Sequence, residues 1–274
     1  MELNLPNNLS PELRQLLEEH RAIVAATLKP CVEIQFVPQR DLTLWQSKIG
    51  GSPYLPKTVD YPKGENGTEL QFLAQINFAE VPHLPDFPEA GMLQFYMAAD
   101  DDLYGANFED YSKSENFRVL YFPEIEADET QLVTDFSFLP DNDDYSPLSG
   151  AAALQFTKKF EPMSWGDYQF NDRLGHLFET DELRWEYAEK VGRSEGHRIG
   201  GYPGFTQTDP REYDEAYRTF DCLLFQLDSE EVGTQKDCRV DLMWGDTGIA
   251  NFFIKSDALK RRDFSEILFN WDCC

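Results

Sequence analysis

Ile49-Gly50-Gly51-Ser52-Pro53-Tyr54 and Ile199-Gly200-Gly201-Tyr202-Pro203-Gly204 are the two stretches whose comparison decides the fold, and they match at an offset of 150 residues. A Gly-Gly-x-Pro run is turn chemistry: the glycines accept positive φ and the proline fixes its own φ. Outward from these turns, Leu73-Ala74-Gln75-Ile76-Asn77 matches Leu224-Phe225-Gln226-Leu227-Asp228 at an offset of 151. The block 91–96 (GMLQFY) resembles 248–253 (GIANFF) at 157, and 117–122 (FRVLYF) resembles 264–269 (FSEILF) at 147. Four blocks in one order at nearly constant spacing point to an internal duplication, with repeats over 45–124 and 195–273.

The matched blocks read as strands at 70–76, 92–97, 117–122, 222–227 and 249–254, because apolar and β-branched residues run between turn signals. Further strands are expected at 32–37, 132–138, 240–243 and 266–271. Residues 47–67 read as turn chemistry, and 151–180 carry no decisive pattern. Ser10, Pro11 and Glu12 open a helix expected over 11–28, with its apolar face at Leu13, Leu16, Leu17, Val24 and Leu28. Thr180 caps a helix to about Val191, Asp209-Pro210 starts one through Thr219, and Ser256 caps a short one over 257–262. The expected fold is therefore α+β: one domain over 1–274, mainly antiparallel β-sheet with an internally duplicated strand-rich unit and a few flanking helices.

Composition narrows the function. Fifty acidic residues against 24 basic ones give a net charge of −26. Phosphate recognition needs clustered Lys and Arg, so nucleic acid and anionic membrane are not expected partners, whereas a basic protein is. The 21 Phe, 12 Tyr and 5 Trp mark a chain that folds. The N-terminus has no basic and apolar leader pattern, and no window is long and apolar enough to span a bilayer, so a cytoplasmic location is expected. The five cysteines form no CxxC pair, which fits reduced thiols and leaves open a redox role for Cys273 and Cys274.

No GxSxG, HExxH or phosphate-loop motif occurs, and no cofactor or metal is expected. Asp141-Asn142-Asp143-Asp144 hints at a calcium loop but lacks its glycine and its closing glutamate. Gln75 and Gln226 stand inside apolar strands, where an unsatisfied amide is costly. They are expected to bond across a pseudo-twofold axis, to bond the Gly-Gly turns, or to contact a ligand. His197 and Arg198 precede the second Gly-Gly turn, where the first repeat has Ser47 and Lys48; Asp228 stands where it has Asn77. Trp244-Gly245-Asp246-Thr247-Gly248 reads as a tight hairpin turn with an Asx bond, or as an exposed recognition pair of Trp244 and Asp246. The candidate binding residues are thus Gln75, Gln226, His197, Arg198, Asp228, Trp244 and Asp246, the ionisable ones gathering on the second repeat.

The segments IGGSPYLP, LQFLAQINFAEVPHLPDFPEAGMLQFY, HRIGGYPGFTQTDPR, LLFQLDSE, WGDTGIANFFI and the closing WDC resemble the YwqG-like family, domain of unknown function 1963, over roughly residues 10 to 273. The resemblance implies a cytoplasmic bacterial α+β protein with a duplicated antiparallel sheet. It also implies an immunity-type role for members encoded near toxin systems, and it brings no catalytic residues. The leading expectation is a non-enzymatic binding protein with a basic protein partner. The alternatives are a small-molecule enzyme using His197 with Asp228 or Asp246, and a ligand sensor with its site between the repeats.

Overall fold

The structure is a computed structural model that describes residues 3–139, 145–233 and 239–274. Its strands are β1 (Lys29–Val37), β2 (Lys48–Ile49), β3 (Gln71–Asn77), β4 (Met92–Met97), β5 (Phe117–Phe122), β6 (Leu148–Gly150), β7 (Ala152–Glu161), β8 (His197–Gly200), β9 (Cys222–Asp228), β10 (Glu230–Val232), β11 (Val240–Leu242), β12 (Ile249–Ile254) and β13 (Leu268–Asp272). Ten of them form one antiparallel sheet in the order β13-β12-β9-β8-β1-β7-β2-β3-β4-β5, and β10-β11-β6 form a second. The architecture is α+β.

The large sheet has the same plan from either edge. β5, β4, β3 and β2 on one side take the places that β13, β12, β9 and β8 take on the other, with β1 and β7 at the centre. The two central strands are exchanged between the halves. β1 leads into β2 along the chain but pairs with β8, and β7 leads into β8 but pairs with β2. They pair with each other from Lys29 opposite Glu161 to Val37 opposite Ala153. Even an irregularity recurs: the β3–β4 register skips Leu73 and the β9–β12 register skips Leu224. Such bulges increase local twist, which suits a sheet that curls.

The curl brings the inner faces of the two wings together. Phe95 of β4 lies 4.6 Å from Phe225 of β9 and 4.9 Å from Phe252 of β12, and Phe117 of β5 lies 5.3 Å from Phe269 of β13. Outside one wing, Leu13 and Leu17 of α1 (Pro11–Glu19) and Val24 of α2 (Arg21–Ala25) pack with Phe170 of α3 (Phe170–Arg173), Tyr187 of α4 (Asp181–Lys190) and Tyr202. Outside the other, loop residues Leu55, Tyr61, Val133 and Phe136 cover Phe72 and Tyr96.

Several expected elements differ. The helix over 11–28 divides at His20, whose φ of −104° and ψ of 19° leave the helical region; the bend delivers Thr27 to Tyr202, whose hydroxyl donates to the Thr27 carbonyl. Residues 132–138 form no strand, and Leu132 makes a single bridge to Pro56. The helix over 210–219 is two 3-10 turns, Pro210–Glu212 and Glu215–Thr219, because Asp209 and Asp214 each accept the N–H two residues on and restart the chain. Ser256 is the first residue of α5 (Ser256–Lys260) and not its cap, since its hydroxyl donates to Asp221. Residues 47–67 hold β2, and 151–180 hold the long strand β7.

Candidate functional site

The two glutamines are built into the turns. The Gln75 side-chain oxygen accepts the Tyr54 N–H at 2.8 Å, and its amide nitrogen donates to the Leu44 and Gln46 carbonyls. Gln226 accepts the Gly204 N–H at 2.8 Å and donates to the Ser194 and Gly196 carbonyls. In both wings a residue on the next strand ties the same turn: Gln94 donates to the Tyr54 carbonyl and Asn251 to the Gly204 carbonyl. Each glutamine therefore bonds its own Gly-Gly turn, not its counterpart across the central strands, and its polar atoms are spent on backbone.

His197 and Asp228 do meet. They share a cleft of about 380 Å³ with Phe36, Ser229 and Glu230. The His197 ring stacks on Phe36, a residue of the exchanged strand β1, with centroids 3.9 Å apart and planes at 15°. Its Nδ1 accepts the Asp228 N–H at 3.0 Å, which puts the ring proton on Nε2, 2.9 Å from Glu230 Oε2. Both ring nitrogens are thereby occupied. The hydrogen bond from His197 holds the Glu230 carboxyl below its usual range. Burial pushes the Asp228 carboxyl up, against the opposing pull of the Gly196 N–H and of His197. The Asp228 oxygens accept the Gly196 and Ser229 N–H groups. Ser47 does in the first wing what His197 does in the second, accepting the Asn77 N–H at 2.8 Å.

Arg198, next along β8, is outside that cleft. It is buried and donates to Glu161 Oε1 at 2.5 Å and to the Glu195 carbonyl. Its positional equivalent, Lys48, is also buried but donates only to the Thr43 carbonyl among the described residues, and burial lowers its pKa to about 8. Trp244 and Asp246 do not form an exposed pair. Trp244 is fully buried in the central core and Asp246 is exposed. Their turn is closed by the Gly248 N–H donating to the Trp244 carbonyl at 2.7 Å. It joins β11 of the small sheet to β12 of the large one, so it is not a hairpin.

Two surface features were missed. Trp165 and Trp185 are 43% and 61% exposed, with ring centroids 5.6 Å apart. They wall a cleft of about 320 Å³ whose lining includes Glu189, Arg193 and Glu195. One signal was available: Leu183 and Tyr187 lie on the packed side of α4, so Trp185 between them falls on the solvent side. A second cleft, of about 430 Å³, is lined by five aromatic residues where the wings meet. Among the described residues no three His, Cys, Asp or Glu side chains gather into a metal-sized cluster, and no helix is long and apolar enough to cross a membrane. The acidic segment Asp141–Asp144 lies outside the described residues. Cys31, Cys222, Cys273 and Cys274 are free thiols, and burial pushes the first two up to about 12.

Comparison with known proteins adds one finding. The family model described as domain of unknown function (DUF1963) matches residues 47–273. No curated protein matches the chain.

Proposed function

The chain belongs to the DUF1963 family, and we propose that it is a non-enzymatic binding protein whose partner is a basic protein. The observation that carries this reading is the exposed pair of Trp165 and Trp185 at the mouth of their cleft. Two large aromatic rings held side by side in water form an unburied apolar surface. Trp and Arg are the residues that dominate binding energy at protein interfaces, and Arg193 lines the same cleft. The charge of −26 supplies long-range attraction for a basic partner, speeding encounter at low salt. An immunity-type role against a basic toxin domain, in the cytoplasm of a bacterium, is the form of this reading that the family resemblance suggests, and the charge of −26 is compatible with it.

A catalytic role for His197 has less support. A general base needs a free lone pair within reach of a substrate proton, and the His197 lone pair is held by the Asp228 N–H. Asp246 does not line the His197 cleft. We also read the two halves as copies of one unit, since the sequence blocks that match occupy equivalent places in the sheet.

The test is titration of the purified chain against basic effector proteins from the same genome at low salt. Saturable binding is expected, weakened by added salt. Trp185→Ala and Trp165→Ala should each lower affinity at least about tenfold with melting temperature unchanged. Absence of any saturable partner, or binding indifferent to both substitutions, would overturn the proposal.

A further inference from the structure

The exchanged strand β1 is itself part of the repeat. On β8 it places Val32 opposite Ile199 and Glu33 opposite Arg198. On β2, β7 places Ala152 opposite Ile49 and Ala153 opposite Lys48. Since Ile49 corresponds to Ile199 and Lys48 to Arg198, Val32 corresponds to Ala152 and Glu33 to Ala153. Continued along the strands, Ile34-Gln35-Phe36 falls on Leu154-Gln155-Phe156. The regular spacing hides this match because α3 and α4 are inserted between β7 and β8. The β1–β7 ladder then has twofold symmetry: Ile34 lies opposite Phe156, Phe36 lies opposite Leu154, and Gln35 and Gln155 meet at its centre. That reciprocity is the pattern of an interface between two copies of one unit.

β1 arrives on an arm, residues 3–37, whose packing is with the second half of the chain. Leu13, Leu17 and Val24 share a cluster with Met163, Phe170, Tyr187 and Tyr202. The Thr27 hydroxyl accepts the Met163 N–H, and Ser10 is held by Glu186. A hinge over 38–47 joins the arm to β2, with Gln39, Arg40, Asp41 and Thr43 exposed. Val37 and Lys48 lie opposite the same residue, Ala153, from its two sides. Two inter-strand spacings, about 10 Å, therefore separate the hinge's ends. The eleven steps between them reach about 36 Å when extended.

Loss of the arm would strip Val32, Ile34 and Phe36 from the central core and leave β7 and β8 each without a neighbour. The slot has to be filled, and an identical arm on another molecule fits it contact for contact. We infer that the slot between β7 and β8 also accepts the arm of a second copy of this chain, giving a closed twofold dimer in which residues 3–37 are exchanged. Such a dimer keeps every arm contact and alters only the hinge, at the cost of the freedom lost on association. It is therefore favoured by concentration. Trp165 and Trp185 take no part in it, so it stands or falls separately from the proposed partner surface.

A cross-link across the centre of the ladder tests it in the full chain. Gln35 and Gln155 are exposed and directly opposite, within disulfide range as Gln35→Cys with Gln155→Cys. Cys274→Ser removes the exposed native thiol. Unlabelled and ¹⁵N-labelled chains are unfolded together in urea and refolded over a concentration series. Monomer and dimer are separated, oxidised and mapped by mass spectrometry. A dimer fraction that grows with concentration is expected. Its 35–155 disulfides should join labelled to unlabelled peptides in the proportion that random pairing gives, and the monomer's should join none. Glu33→Cys with Thr157→Cys, the next pair but one in the ladder, gives the same readout should the central pair disturb folding. Absence of a dimer at every concentration, or dimer cross-links within single chains only, overturns the inference.

Discussion

Single residues fix the turns on which each wing is hung. Gln226 satisfies one backbone N–H and two carbonyls that would otherwise be left unpaired in the interior. A buried polar group without a partner costs about 1–3 kcal/mol. Gln226→Leu is therefore expected to destabilise the chain by about 3 kcal/mol or more, measured by urea unfolding; a loss below about 1 kcal/mol would show that these groups find other partners. The need for a partner was legible in the sequence, because an amide inside an apolar strand demands one. Which partner was not, since Leu44 and Ser194 reach their glutamines only after the chain has folded back through a turn. His197 shows the same limit. Its ring is positioned by Phe36, far away in sequence, so its commitment to structure became visible only with the exchanged strand in place.

Among the elements, the docking of α1 on α4 depends on an ionised carboxylate. Glu186 of α4 accepts the Ser10 N–H at 2.7 Å and the Ser10 hydroxyl at 2.6 Å, and Lys190 approaches at 2.9 Å. Burial alone would raise the Glu186 pKa, but these donors outweigh it and bring it to about 2. A carboxyl with a depressed folded pKa stabilises fully above its unfolded value and progressively loses that contribution as pH falls through the folded one. The stability difference between wild type and Glu186→Gln should therefore be flat from neutral pH to about 4.5 and shrink toward zero near pH 2. Unfolding measured across a pH series checks it, and a difference independent of pH would refute the assignment. The cap itself was readable from Ser10-Pro11-Glu12, since the Ser10 hydroxyl accepts the Leu13 N–H as the motif predicts. The break at His20 was not, because the apolar spacing runs on through Val24.

For the whole molecule, the exchange of β1 and β7 makes the wings interdependent. β8 lies between β9 and β1, and β2 between β3 and β7, so the inner strand of each wing pairs with a strand that runs on into the other wing. The inner faces then close on each other through Phe95, Phe225 and Phe252. Division of the chain between residues 139 and 145 should therefore give two fragments, neither of which unfolds cooperatively as a monomer, while an equimolar mixture does. Calorimetry with sedimentation analysis reads this directly, and a cooperative monomeric half would contradict it. The family model begins at residue 47 and so leaves out β1, although that strand lies at the centre of the sheet.

What the sequence determined by itself was local. Paired glycines with a proline made turns, apolar blocks made strands, and Ser10 and Thr180 made helix starts, because backbone dihedrals and caps depend on neighbours a few residues away. The spacing of the four blocks also ordered the strands along each wing. Tertiary structure alone decided which strand lies beside which and which side chains face water. It put β1 beside β8, sank Trp244 into the core and left Trp185 outside. It also assembled an aromatic cleft from Phe108 and Tyr213, which share no local pattern. Those outcomes depend on long-range pairing and on the closing of one wing over the other, and no short stretch of sequence carries that information.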